Sequence, residues 1–349
     1  MTSLHPKFLD DLRLSTTDGS TLKALGECRG RQDLFRRQTP ELLAALRNAA
    51  VIESTESSNR IEGVVAPHRR IEALVLKSAA PLDRSEQEIA GYRDALNLIH
   101  ESARDMAFSV NVMLQLHTML YRYHAGQGGR WKATQNEIVE RDVEGVVSRI
   151  RFVPPSPVAT PGMMEALAAE YRDAVANARE PLIVVPLAVL DFLCIHPFAD
   201  GNGRMARLLT LLLLYHFDYA VGRYISLERI VEESKQTYYE ALEASSHGWH
   251  EGRQDVFPWL RYFWGVVLRA YREFQDRVGT LREGRGAKSD LVEEAVSRRT
   301  GPFAISDIEA ECPGVTRDWI RIVLRRMRDA GRIAPRGRGR GAKWVRVLS

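Results

Sequence analysis

The chain of 349 residues holds only three cysteines, Cys28, Cys194 and Cys312. Far apart and odd in number, they exclude a disulfide framework and a cysteine-based metal cluster, and they fit a reducing cytoplasm. Long apolar runs are missing as well. The longest, Leu208 to Phe217, is about half of the roughly 20 residues that a bilayer span requires, so it reads as a buried helix and no membrane partner is expected. At the N-terminus, MTSLHPKFLDDLRL has no basic stretch leading into an apolar one, and no secretory signal is expected. His247 and His250 have no Cys or acidic cluster beside them to complete a metal site and read as loop. An alternating βαβ pattern is absent too, which argues against a parallel sheet.

What remains is a composition of 45% hydrophobic and 27% charged residues, ordinary for a globular protein and long enough for more than one domain. The net charge of +4 hides an asymmetry: residues 282–349 carry 16 Lys and Arg against 9 Asp and Glu, leaving 33 against 36 in residues 1–281. A basic tail on a slightly acidic body suggests an appended anion-seeking module.

After a polar N-terminal arm, Thr39 as N-cap and Pro40 at the first helical position open a helix that stops at Gly63. Amphipathic helices follow at 84–103 and 109–122, then paired glycines, alternating apolar residues and Pro154-Pro155 that suggest a β-hairpin at about 135–151. Further helices are expected at about 161–178, in the nearly all-apolar PLIVVPLAVLDFLCI, from Arg204 to about Tyr219, and near 227–247 and 256–282. The fold class is mainly α. Past residue 282 the pattern reads as a helix from Ser289 to Arg299, a short one opened by a capping box at Ser306 to Glu309, a third capped by Thr316, and two short strands with a Gly-rich basic loop. On the third helix Ile320, Val323, Leu324 and Met327 form a core face, with Arg317, Arg321, Arg325 and Arg328 opposite. This order resembles a winged helix-turn-helix domain, in which those arginines and the wing residues Arg336, Arg338 and Arg340 would contact DNA. A solvated basic face is the other reading. The expected division is 1–63, 64–282 and 283–349.

The densest chemistry lies in HPFADGNGRMAR, His196 to Arg207. Gly201, Asn202 and Gly203 precede a helix whose first amides lack intrahelical acceptors, which makes a cradle for phosphate. Arg204 and Arg207 could fork onto the outer phosphates of a nucleotide, Asp200 could hold a Mg²⁺ ion, and His196 could take a proton from an attacking hydroxyl. Glu62 faces the negative end of its own helix, a cost of about 0.3–1 kcal/mol that calls for a cationic partner.

The stretch resembles the signature of the Fic (filamentation induced by cAMP) family, His-x-Phe-x-Asp/Glu-Gly-Asn-Gly-Arg-x-x-Arg, at every defined position. The resemblance covers roughly residues 30–280 and implies a Fic-type helical core with a small hairpin flap. The activity it implies is transfer of AMP from ATP to a Ser, Thr or Tyr hydroxyl of a target protein. His196 would be the general base and Asp200 the Mg²⁺ ligand; Gly201, Asn202 and Gly203 the anion hole; Arg204 and Arg207 the β- and γ-phosphate ligands; and the flap would align the target. Tyr238 or Tyr239 would line the adenine site, or pack in the core. Ser58, Glu62 and Gly63 match the family's inhibitory pattern Ser/Thr-x-x-x-Glu-Gly/Asn, in which the glutamate pairs with the second arginine, here Arg207. The expected partners are ATP and a target protein, with DNA and a second copy of the chain as candidates. Other readings are transfer of a different phosphate-containing group, removal of AMP, or a nucleotide-sensing DNA-binding regulator.

Overall fold

The computed structural model describes residues 2–36, 40–76, 79–124, 128–141, 147–297, 299, 301–312, 315–337 and 343–347. It divides into two compact units, Met1–Phe274 and Gln275–Ser349. Residues 1–63 fall within the first unit. Thr39, Arg338 and Arg340 lie outside the described residues.

The first unit is helical throughout but for one hairpin. Its helices are α1 (Pro6–Asp11), α2 (Thr16–Arg36), α3 (Pro40–Ile61), α4 (His68–Leu76), α5 (Arg84–Ser102), α6 (Val110–Leu120), α7 (Thr160–Ala176), α8 (Pro181–Ile195), α9 (Asn202–His216), α10 (Leu227–Glu233), α11 (Lys235–Ser246) and the N-terminal part of α12 (Phe257–Ser297). Between α6 and α7, β1 (Ile138–Arg141) and β2 (Val147–Phe152) pair antiparallel, with Val139 opposite Ile150 and Glu140 opposite Arg149. The mainly α reading therefore holds. The polar N-terminal arm forms α1 and α2, and α2 is tied down by buried Leu25 and by Asp18, which pairs with Arg261 at 2.9 Å.

The core is built on α8 and α9, whose side chains are buried nearly end to end: α8 is apolar almost all round, and the arginines of α9 are buried with partners from other helices. Pro186 interrupts α8 without breaking it. Its missing amide would leave Leu182 O unpaired, and Trp264 Nε1 donates to that oxygen at 2.6 Å. Trp259 Nε1 likewise donates to Pro186 O at 2.7 Å. Fully buried Asp191 on the same helix accepts from Ser3 N, Ser3 Oγ and Trp249 Nε1, and burial pushes its carboxyl up to about 6.

Three boundaries differ from the sequence reading. The helix expected over 227–247 is two, because Ser234 leaves helical geometry (φ −116°, ψ 31°) and turns its hydroxyl back onto Ile230 O. The helix expected to end at 282 continues to Ser297. No proline interrupts it, and good helix formers such as Glu283, Arg285, Ala287 and Lys288 offset two glycines that cost about 1 kcal/mol each. The capping box expected at Ser306 is shifted: α13 (Ile305–Glu311) is capped at Ala304, whose amide donates to Asp307 Oδ2 at 2.8 Å.

The second unit packs the end of α12, α13, α14 (Arg317–Asp329) and the antiparallel hairpin β3 (Ile333–Arg336) and β4 (Lys343–Arg346). Ile320, Val323, Leu324 and Met327 enter its core together with Phe303 and Ile333. Thr316 Oγ1 accepts from Trp319 N and caps α14.

Because Leu212 on α9 is fully buried, Leu212→Ala is expected to cost about 2–5 kcal/mol in denaturant unfolding.

Candidate active site

The site begins where α8 ends. His196 takes the left-handed conformation (φ 49°, ψ 59°) as the C-cap of α8, an arrangement that costs a residue with a Cβ on the order of 1–2 kcal/mol. Its Nδ1 lies 3.2 Å from Leu193 O, which fixes the proton there and leaves Nε2 as the acceptor. Burial lowers the ring to about 4, with the Lys132 ammonium adding to the effect. The imidazole is therefore neutral at pH 7 and available as a base.

Between the two helices the chain makes a tight turn closed by Asn202. The Asn202 Oδ1 accepts from Phe198 N at 2.9 Å, and its Nδ2 donates to Phe198 O at 2.8 Å. Phe198 itself is fully buried and stacks on His117, ring centroids 3.7 Å apart. Gly201 sits at φ +81°, and a Cβ there would press on Leu120 and the Tyr121 hydroxyl at 3.0 Å. His117 Nδ1 accepts from Gly129 N, so its Nε2 donates to Asp200 O at 3.1 Å, and burial holds that ring neutral as well. The Asp200 carboxylate accepts from Gly201 N at 2.7 Å and from Tyr121 Oη at 2.8 Å, with 65% of its side chain exposed. Burial pushes this carboxyl up, but Tyr121, Arg204 and the Gly201 amide together hold it below the usual carboxylate range.

The two motif arginines part company. Arg204, expected to reach phosphate, is 1% exposed and donates to Glu88 at 2.6 Å and to Tyr121 Oη at 3.0 Å, while its Nε has no hydrogen-bond partner among the described residues. A buried guanidinium requires an anion, and Glu88 supplies it. Arg207 is held from α3 instead. Its Nε donates to Ser58 Oγ at 2.8 Å, and its Nη2 to Ser58 O at 2.9 Å and to Glu62 Oε1 at 2.7 Å. Burial alone would depress Arg207, but the Glu62 carboxylate raises it above its ordinary value. The cation that Glu62 requires is thus Arg207, while Lys235 Nζ donates to Ile61 O at 2.9 Å and covers the end of α3. Gly63 follows as the C′ residue, its amide bonded to Arg60 O.

A Cβ on Gly203 would lie 2.1 Å from Glu62 Oε1, so the carboxylate rests directly on the first turn of α9. It occupies the place where that helix end would receive an anion.

These groups open into a cavity of about 540 Å³. His196, Gly203, Arg207, Glu62, Tyr238 and Tyr239 line it, together with Val139, Arg151 and Phe152 of the flap strands. Tyr238 is buried against Trp259 and Tyr262, whereas Tyr239 is half-buried beneath the Arg151 guanidinium. Arg204, Asp200 and Asn202 do not line this cavity. Glu243 clamps Arg149 and Arg151 of β2, each at 2.7 Å, and so ties the flap to α11.

Residues 107–214 match the model of the Fic/DOC family. The chain carries a Fic domain. Protein adenylyltransferase Fic of Nematostella vectensis is 25% identical over 213 residues, which are 59% of this chain and 44% of that protein. Protein adenylyltransferase fic-1 of Caenorhabditis elegans is 23% identical over 235 residues, 66% and 41% of the two chains. The chain thus spans less than half the length of these curated relatives. Among solved structures, a Fic family protein from Desulfovibrio desulfuricans G20 has a TM-score of 0.63 at 19% identity, covering 97% of this chain and 98% of that one. Fic-1 (residues 134–508) from C. elegans has a TM-score of 0.58 at 20% identity, covering 77% and 74%. These likenesses show that the Fic fold extends beyond the matched segment.

Sequence reasoning missed Lys132, Asn136 and Tyr121 within the matched segment and Glu88 ahead of it, which hold the motif from outside it. Nothing in their local spacing marks them, because their partners lie 60 or more residues away. In the second unit, Arg317 pairs with Glu309, Arg321 with Asp318 and Arg328 with Asp329, while Arg325 and Arg336 are exposed.

Arg204→Met leaves buried Glu88 with only the exposed Arg84 as cationic partner and is expected to lower stability by up to about 3–5 kcal/mol in chemical denaturation. Adding Glu88→Gln should recover part of that loss, since the two charges then leave together.

Proposed function

We propose that this chain transfers AMP from ATP to a hydroxyl of a protein, and that Glu62 holds the reaction off in the resting state. One observation carries the reading: the neutral imidazole of His196, the first turn of α9 and the guanidinium of Arg207 converge on a single cavity of nucleotide size. The adenylyltransferase names of the relatives support the choice of AMP.

In this reading His196 Nε2 takes the proton of the attacking hydroxyl. The hydroxyl oxygen forms a bond to the α-phosphorus, the bond from that phosphorus to the β-bridging oxygen breaks, and pyrophosphate leaves. The α9 amides and the helix dipole stabilise the phosphates. Arg207 receives the terminal phosphate. Its Nη1 is buried without a hydrogen-bond partner among the described residues, a donor left over for a phosphate oxygen. The half-buried ring of Tyr239 suits one face of the base. Asp200 fits a Mg²⁺ ligand: its carboxylate is ionised and largely exposed, and each oxygen accepts one close hydrogen bond, leaving lone pairs free. The ion would neutralise phosphate charge beside it. The flap would align the target by strand addition along β2.

Glu62 and the terminal phosphate compete for one guanidinium and one helix end, so the carboxylate is an intramolecular competitor of ATP. With α-labelled ATP, Glu62→Gly is expected to label itself or an added protein well above wild type, and Glu62→Gly His196→Ala to abolish the label. Label transferred from γ- but not α-labelled ATP would replace this reading with phosphate transfer.

For the second unit we propose a nucleic-acid contact along the exposed arginines of α14 and the β3–β4 hairpin, supported by the basic charge of residues 282–349. Because three of the α14 arginines already carry acidic partners, only a small phosphate footprint is expected. Duplex DNA should bind the full chain weakly. Arg321→Ala Arg325→Ala should flatten the dependence of log K on log salt by about 2.

A further inference from the structure

His196 keeps its left-handed backbone only if its surroundings over-determine it. The restraint comes from one short segment ahead of the flap. Lys132 Nζ donates to Ile195 O at 3.1 Å and to Asn136 Oδ1 at 2.9 Å. Asn136 Nδ2 donates in turn to His196 O at 3.3 Å and to Phe198 O at 3.0 Å. The Lys132 amide donates to Pro197 O at 2.8 Å. Four consecutive carbonyls, Ile195 to Phe198, are thus captured by two residues from outside the motif.

Lys132 is 3% exposed, and each of its ammonium contacts is a neutral oxygen. Burial lowers it to about 8. An amine in that position is expensive unless it is used, and here it meets the unsatisfied carbonyls at the negative end of α8. Two residues beyond Asn136 the chain enters β1, and Gln135 Nε2 donates to Pro154 O at 2.7 Å, closing the base of the flap.

We infer that Lys132 and Asn136 are positioning residues for His196, fixing the backbone that aims its ring and linking that backbone to the flap. Neither touches the reacting atoms. The role rests on the proposed transfer reaction, since it assigns His196 as the base. It also has a purely electrostatic consequence: the charged groups facing the ring are Lys132 from the pre-flap segment, Glu62 from the end of α3 and Asp200 from the turn before α9. Lys132 is the cation among them, so its removal raises the affinity of the ring for a proton.

The test uses the full chain with Glu62→Gly as parent. Lys132→Met is expected to lower kcat by at least about tenfold while KM for ATP stays within about twofold, because the base is misplaced and the phosphate site is not. The acid limb of kcat/KM should move to higher pH. Asn136→Ala should lower kcat less and leave that limb in place. NMR titration of the His196 ring, which needs no transfer, should give a higher pKa in Lys132→Met than in its parent. A parent that transfers nothing defeats the proposed reaction, and the ring titration then decides the inference by itself. An unmoved ring with unchanged kcat would overturn it. So would a KM for ATP that rises as kcat falls in both variants, the mark of general loosening. Should Lys132→Met fail to fold, the kcat of Asn136→Ala decides.

Discussion

A guanidinium buried at the start of α9 must face an anion, and the organisation of this protein follows from that requirement at Arg207. Desolvating a cation costs several kcal/mol unless an opposite charge and good hydrogen bonds accompany it. In this fold Ser58 supplies the hydrogen bonds and Glu62 the charge. In the proposed reaction the terminal phosphate of ATP would meet the same two demands in place of Glu62.

Arg204, three residues earlier, obeys the same rule. Its anion is Glu88, itself buried and paired with Arg84 as well. Two arginines in one short motif thus have anionic partners of different exposure: Glu62 has 31% of its side chain exposed against 6% for Glu88.

Around this pair the helices act as fixed sources of charge and strain. The end of α8 presents carbonyls that Lys132 and Asn136 gather, and the beginning of α9 presents amides that Glu62 covers. His196 lies between these opposite helix ends, its ring kept neutral by burial. The flap and α11, joined by the grip of Glu243 on Arg149 and Arg151, complete the cavity.

The amino-acid sequence determined the mainly helical class, the core helices around the motif, the hairpin, the cap at Thr316 and the need of Glu62 for a cation. Each of these follows from periodicity, from capping chemistry or from a dipole that the neighbouring residues already define. The local spacing of HPFADGNGRMAR also brings His196, Gly203 and Arg207 to one place, because a turn of six residues between two helices leaves little freedom. Tertiary structure alone decided which arginine faces the cavity, since Arg204 and Arg207 have the same chemistry and differ only in partners drawn from α5 and α3. It decided that Asn202 spends its side chain on Phe198, that Tyr238 is core while Tyr239 is half-buried, and that Lys132 and Asn136 hold the backbone of the base. Charge pairing in the interior depends on which helices become neighbours, and nothing in the spacing of residues along the chain records that.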